Sequence, residues 1–443
     1  MLTIYTPQKT ERIAFIMNLF FNRHAYATYR LTDSKDDLHE ATHLITYAPQ
    51  PLSIENEVFI WQHPLMTSTG IQEQTIDMGM FEGEPVFFQS PHDQSFLPFD
   101  IFALSFYLLT RYEEYLPHRK DVYGRFPASE SLAFKQGFLH KPLVDVLVLK
   151  FVRKLKDQFG SKLFSSSIYE IFPQYLATYD IDQAYAYLHK SFTRTVGGLL
   201  KHALRFDMQE VKRRIAVLTG RQKDPFDTYH LIEKIKQQYP VKNYFFILFA
   251  AKNSRYDRGL NPENRNFQRL ILQLKREGEI GCHPSFASAI APSNRTLSRE
   301  IYNLTDLTMN VMVCSRSHYL LLDFPETYQR YINKYIKYDF TLGYPELPGF
   351  RASTCKPFRF FDLSSDFLTP LELIPLIYMD STLQRYMRLS PAEALETIKQ
   401  LIDAVKAVQG IFVSLWHNES FEKDGHDWFA VYRESLDYFF ADA

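Results

Sequence analysis

The chain has 443 residues, which at about 150 residues per domain predicts one large α/β unit with a smaller companion. Lys and Arg number 50 against 51 Asp and Glu, so the formal net charge of −1 excludes partners that depend on a global field, nucleic acid among them. Hydrophobic residues at 46% and aromatics at 16% exclude a disordered chain, and the aromatic excess suits ring stacking on sugars.

In chain order, residues 13–21 are mostly apolar, follow Lys9 and Arg12 and precede Ala25-Tyr26-Ala27, the outline of a secretory leader. Glu11 interrupts the basic region, however, and Asn22-Arg23-His24 separates the run from the small residues. The expectation is therefore a segment of the fold and a cytoplasmic protein, with secretion as the alternative. Residues 85–98 are punctuated by proline, and residues 99–116 are apolar nearly all round, which predicts a buried helix. After a polar loop at 117–141, a helix at 143–159 ends at Gly160, and Ser165-Ser166-Ser167 marks a boundary between a unit at 1–165 and one at 166–443.

Beyond that boundary strands and helices alternate. Strands are expected at 175–179, 243–249, around Ile280 and at 411–416. Asp224-Pro225 offers a cap for a helix running to Gln238, and Phe267, Leu270, Ile271 and Leu274 mark a helix ended by Gly278. Ser390-Pro391-Ala392-Glu393 forms a capping box for a helix stopped by Gly410. Seven Lys or Arg between 201 and 223 face only Asp207 and Glu210, either a solvated helix face or a patch for a phosphate-bearing substrate. No apolar run approaches the ~20 residues of a membrane span. Cys282, Cys314 and Cys355 are too few and oddly numbered for a disulfide framework, which points to a reducing compartment and to packing roles.

Such alternation predicts a parallel sheet with helices outside, either open or closed into a barrel, with its site at the carboxyl ends of the strands. Four strand ends carry suitable groups: Asp180-Ile181-Asp182, His283, Arg316-Ser317-His318 and His417. Side chains two apart on a strand share a side, so one carboxylate can hold a metal while the other takes a proton. Taken alone, Asp-x-Asp can equally be a turn or helix cap. With imidazoles, the mixed nitrogen and oxygen set suits zinc or another first-row divalent ion.

At these residues the sequence resembles the polysaccharide deacetylases, carbohydrate esterase family 4 with its NodB-homology domain, from about residue 173 onward. Thr178-Tyr179-Asp180-Ile181-Asp182 is similar to the family's Thr-Phe-Asp-Asp motif, which implies Asp180 as general base and Asp182 as metal ligand. Gly281-Cys282-His283-Pro284-Ser285 resembles the second motif, whose first His binds metal. Arg316-Ser317-His318-Tyr319 resembles the Arg-x-Pro-Tyr motif that orients the base, with Tyr338-Asp339 similar to a segment that follows it. Leu415-Trp416-His417 corresponds to the last motif, whose His is the general acid. Gly349-Phe350-Arg351-Ala352-Ser353 also resembles the arginine motif, so that role falls to Arg316 or Arg351, with Arg316 favoured by its place in the chain.

Two departures stand out. Ala287 occupies the place of the family's second motif histidine, and Ile181 separates the aspartates. His318 then either supplies the third ligand or bonds substrate or backbone while water completes the coordination. Arg351, Trp416 and Asn418 are expected on the substrate side. The first 165 residues resemble an uncharacterised domain that precedes this catalytic type in some bacterial proteins, on Phe99-Asp100-Ile101-Phe102, Arg111-Tyr112-Glu113-Glu114 and Gly124-Arg125-Phe126. A packing and lid role is expected of them.

The resemblance implies a distorted (β/α) barrel with a smaller N-terminal α/β domain. It implies a zinc-dependent hydrolase that removes an N-acetyl group from an amino sugar of a glycan or glycan precursor. The alternatives are hydrolysis of a non-sugar C–N bond on the same fold, and a catalytically degenerate protein that binds glycan or a partner. No sequence feature fixes the sugar or the oligomeric state.

Overall fold

The computed structural model describes residues 1–24, 27–164, 174–250, 254–291, 293–422 and 427–441. The boundary expected at Ser165-Ser166-Ser167 lies outside those residues. Near the N-terminus, β1 (Leu2–Tyr5), β2 (Tyr29–Thr32), β3 (Leu44–Ala48) and β4 (Glu57–Trp61) form a parallel sheet of order β2-β1-β3-β4. Parallel neighbours need a crossover, and the apolar run at 13–21 supplies it. Thr10 caps the helix Glu11–Met17 by accepting the amide of Ile13, and Ile13, Ile16, Met17 and Phe21 are fully buried. The antiparallel ribbon of β5 (Gly79–Phe81) and β6 (Glu84–Val86) follows.

The buried helix expected at 99–116 spans Ile101–Leu109, every residue of it buried, with Asp100 accepting the amides of Phe102 and Ala103. It ends early because Arg111 takes a left-handed φ of 54° and starts a 3₁₀ turn, Tyr112–Tyr115. The second expected helix is Leu143–Phe159, and Gly160 closes it at a φ of 83°.

The larger unit contains β7 (Gln174–Ile181), β8 (Lys242–Ile247), β9 (Glu279–Cys282), β10 (Cys314–Ser315), β11 (Tyr338–Asp339), β12 (Phe358–Asp362), β13 (Phe367–Leu373), β14 (Tyr378–Met379) and β15 (Ile411–His417). They form one sheet of order β12-β13-β11-β10-β9-β8-β7-β15-β14, parallel except for the β12–β13 hairpin. The ring closes through the chain between β13 and β14. There the amides of Ile374 and Leu376 donate to Asp339 and Leu342, while that of Ile377 donates across to Val413. The architecture is thus a distorted β/α barrel beside a smaller parallel α/β sheet.

Period-two alternation decides what the barrel holds. Tyr175, Ala177, Tyr179 and Ile181 of β7 pack outward against the helices, while Leu176 joins Tyr244, Phe246, Phe340, Leu376 and Leu415 in the interior. Thr178 and Asp180 therefore point inward as well. Gly281 on β9 leaves room for this plug, since a Cβ there would meet the Phe246 ring at 2.6 Å. One expectation needs correction: the helix ending at Gln238 starts at Tyr229, not at Asp224. Asp224 instead accepts the amides of Ala186, Tyr187 and Leu188, pinning the loop after β7.

The two units share a core. One apolar cluster runs from Leu2 through Leu155 to Phe358, Phe361 and Leu373 of the β12–β13 hairpin. Phe361 meets Phe15 and Phe106 with ring centroids 5.5 and 5.2 Å apart. Beside it lies a buried ionic latch. Glu114 accepts from Arg351 at 2.9 and 2.5 Å and from Arg111 at 2.7 Å, and Arg111 also donates to the Arg351 carbonyl. Burial raises the Glu114 carboxyl, but Arg351 and Arg111 outweigh it and hold it below its ordinary 4.5. Glu114→Gln leaves two buried guanidinium groups short of a counter-charge, and we expect a loss of about 3–5 kcal/mol in urea unfolding at neutral pH. In the wild type this stabilisation is present above pH 4.5 and lost as pH falls through the depressed value, so the difference between the two proteins should shrink in acid.

Candidate metal centre

The strand ends deliver the expected groups to one point. Asp182, His283 and His318 offer ligand atoms that all lie within 4.8 Å of one another. His283 Nε2 stands 3.1 Å from Asp182 Oδ1, and His318 Nε2 stands 3.3 Å from Asp182 Oδ2. Both Asp182 Oδ1 and His283 Nε2 are buried without a hydrogen-bond partner, an arrangement that is costly unless something else satisfies them.

The far side of each imidazole explains the geometry. His283 Nδ1 lies 2.5 Å from the Arg316 carbonyl, which can only accept, so the proton is on Nδ1 and the Nε2 lone pair faces Asp182. His318 Nδ1 is 2.9 Å from the buried Asp257 carboxylate, which fixes its ring in the same sense. Two imidazole Nε2 atoms and a carboxylate thus converge, each imidazole backed by an acceptor, as metal-binding histidines are. The donor set fits a divalent ion, and two nitrogens with one oxygen suit zinc. Burial would raise Asp182, but His318 and His283 outweigh it and hold it well below the usual carboxylate range. His318 stands in the group of three that could hold an ion, and the Ala287 amide donates to Asp257.

Two proton-handling groups flank the ligands. Asp180 Oδ2 is 3.6 Å from His283 Nε2, and Asp180 Oδ1 accepts from Arg316 Nη1 at 3.0 Å. Arg316 is fully buried, donates also to Thr178 and the Phe340 carbonyl, and lies 4.5 Å from the Phe246 ring centroid. On the neighbouring strand, in register with Asp180, His417 Nε2 is 3.6 Å from Asp182, while its Nδ1 lies 2.7 Å from Asp380. Burial works against a charged imidazole here, yet Asp380, Asp182 and Asp180 outweigh it, and His417 is pushed up to about 10. It is therefore protonated at neutral pH.

These groups sit in a cavity of about 500 Å³. Its outer wall is aromatic and basic: Tyr256, Arg258, Tyr319 and Arg385 come from the barrel, and Tyr123 and Arg125 from the N-terminal loop. Tyr319 has a left-handed φ of 63°, rare for an aromatic residue, and its carbonyl accepts from Arg125 at 2.7 Å. The N-terminal unit thus clamps the turn that carries His318.

Three expected substrate-side residues are placed elsewhere. Arg351 belongs to the buried latch with Glu114, so of the two candidate arginines Arg316 is the one beside Asp180. Trp416 points outward because His417 points inward, and its indole donates to Tyr378. Asn418 donates to the carbonyls of Gln183 and Phe226, bracing the loop after β7. Two carboxylates escaped the sequence reading: Asp257 in a loop beyond β8, and Asp380 directly after the two-residue β14. Only the position of Asp380 after an apolar stretch signalled it.

A family model described as a family of unknown function, DUF7033, matches residues 2–160. No curated protein matches the chain. Among solved structures, the allantoinase PuuE is similar at 12% identity and a TM-score of 0.39, covering 60% of this chain and 82% of its own. A polysaccharide deacetylase from Bacillus cereus is similar at 13% identity and a TM-score of 0.31, covering 60% of this chain and 86% of its own. Likenesses this distant speak to neither reaction nor substrate.

The donor set predicts that His318→Ala loses bound metal, read as metal content of the purified protein. Asp257→Asn should retain the ligands yet weaken metal binding about 10–100-fold in a chelator competition. Unchanged stoichiometry and affinity in both variants would remove His318 from the set.

Proposed function

We propose that the protein is a metal-dependent hydrolase that removes an N-acetyl group from an amino sugar of a glycan or glycan precursor, with residues 166–443 as the catalytic unit and 1–165 as the accessory one. The observation that supports this reading is the pair of independently anchored proton-handling groups, Asp180 held by Arg316 and His417 held by Asp380, each within 3.6 Å of a member of one three-ligand set. Asp182, His283 and His318 would hold the ion, zinc by preference. When bound, it would polarise the acetyl carbonyl and lower the pKa of a water.

Asp180, oriented by Arg316, accepts the proton of the attacking water. His417, protonated and fixed by Asp380, donates a proton to the departing amine and offers positive charge to the developing oxyanion. The tyrosines of the outer wall present faces and hydroxyl groups suited to a sugar ring. The complete donor set favours hydrolysis over a degenerate binding role. A cytoplasmic site of action, on a soluble or lipid-linked precursor, accords with this reading.

Asp180→Asn should keep its metal and fold while turnover falls about 10²–10⁴-fold. The assay is acetate release from N-acetylated amino sugars, set against simple acetamides. Wild-type turnover in Asp180→Asn would end the assignment of the base, and equal kcat/KM on both substrate groups would move the reading to a non-sugar amide.

A further inference from the structure

The basic stretch at 201–223 belongs to a helical hairpin that the reaction does not use. Its first helix, Phe192–Leu204, buries none of its residues, and its second, Met208–Leu218, buries only Val217. Phe192, Val196, Leu199 and Ala203 recur at the helical period, with Leu200 and Leu204 beside them, while Arg194 and Lys201 lie on the opposite face. Along the second helix Met208, Val211, Ile215 and Leu218 form a matching stripe flanked by Lys212.

Such stripes normally meet a core, yet most of these residues face solvent, with Val196, Leu199 and Val211 half-buried. Phe192 is 82% exposed, Leu204 79% and Phe206, in the turn, 88%. Large exposed apolar side chains are concentrated in this segment, where nine Lys or Arg between 190 and 223 face two carboxylates of the segment itself; Arg213, Arg214 and Lys223 pair with Glu422, Glu210 and Asp227. The near-zero charge of the whole chain hides this local excess. Apolar side chains at the tip, cations at the flanks and no span are the features of an element that lies in a membrane interface.

The hairpin is also fixed beside the cavity. Arg194 donates to the carbonyls of Arg258 and Gly259 at 2.9 Å each, and Arg258 lines the cavity. Val217 packs on Ala186 and Tyr187 in the loop after β7. The hairpin is thus tied to two loops beside the site.

We propose that the hairpin at 192–218 docks the protein on an anionic membrane surface, its apolar stripe entering the headgroup boundary and its cations neutralising lipid phosphates. Charge selects this occupant over a second copy of the chain, because two copies joined through this face would set the same cations against each other. The docking stands independently of the reaction assigned to the cavity.

Flotation of the full chain with vesicles tests it. Phosphatidylcholine vesicles carrying roughly 30% phosphatidylglycerol should capture the protein, pure phosphatidylcholine far less, and capture should fall as NaCl rises from about 0.05 to about 0.5 M. Leu204→Ser with Phe206→Ser, and separately Lys201→Glu with Lys212→Glu, should each lower the captured fraction at least about tenfold. All four side chains are exposed, so an unchanged melting temperature and metal content establish that the fold is intact. Three results overturn the proposal: no phosphatidylglycerol-dependent capture, wild-type capture by the Leu204/Phe206 variant, or a dimer in sedimentation that the same substitutions dissociate.

Discussion

The candidate site depends on one buried cation. Arg316 reaches into the barrel with its guanidinium 4.5 and 5.9 Å from the ring centroids of Phe246 and Phe340, in surroundings that penalise charge. Asp180 supplies the counter-charge, and Thr178 and the Phe340 carbonyl accept further hydrogen bonds. The Arg316 carbonyl meanwhile accepts from His283, and its amide donates to Cys282. One residue therefore holds both the carboxylate expected to act as base and the ring of His283, through its two ends. The aromatic plug beneath it is what makes that position precise, because a guanidinium with water on one side would have several ways to satisfy itself.

Asp257 and Asp380 repeat the device at a smaller scale. Each is fully buried and stabilised by backbone amides: Asp257 takes those of Phe286 and Ala287, and Asp380 that of His417. Each then turns an oxygen to an imidazole. In both carboxylates the effect of burial is outweighed, by the hydrogen bond from His318 for Asp257 and by the charge of His417 for Asp380, and each stays below the ordinary range. The three imidazoles thus meet three acceptors, the Arg316 carbonyl for His283, Asp257 for His318 and Asp380 for His417, and each acceptor fixes the orientation of its ring.

What the sequence made legible follows from regular geometry. Asp180 and His417 sit on long strands, where alternation places them, and the capping box at Ser390 is a local contact that forms as expected. The same alternation assigns Trp416 to the outer face, a step available from the sequence once His417 is placed inside. Asp257 and Asp380 were hidden because a loop and a two-residue strand have no period to read. The expectations of Asp224 as a helix cap and of Arg351 on the substrate side fail for a related reason: they describe local possibilities, and long-range partners, the amides of 186–188 and the carboxylate of Glu114, claim both side chains.

The division of the chain near residue 165 shows the same limit on a larger scale. Texture changes there, and a family model ends at residue 160. Packing does not divide at that point, since Phe15, Phe106 and Phe361 share one core and Arg111 with Glu114 grips Arg351. The β12–β13 hairpin, which continues into the segment that closes the barrel, rests on that shared core. The turn of Tyr319 next to His318 is held by Arg125. A β/α barrel that relied on its own helices for cover would keep its outer faces apolar and its strand-end loops self-supporting. Here the first unit supplies part of that cover and braces one of those loops, so the packing of the two units also bears on the position of His318.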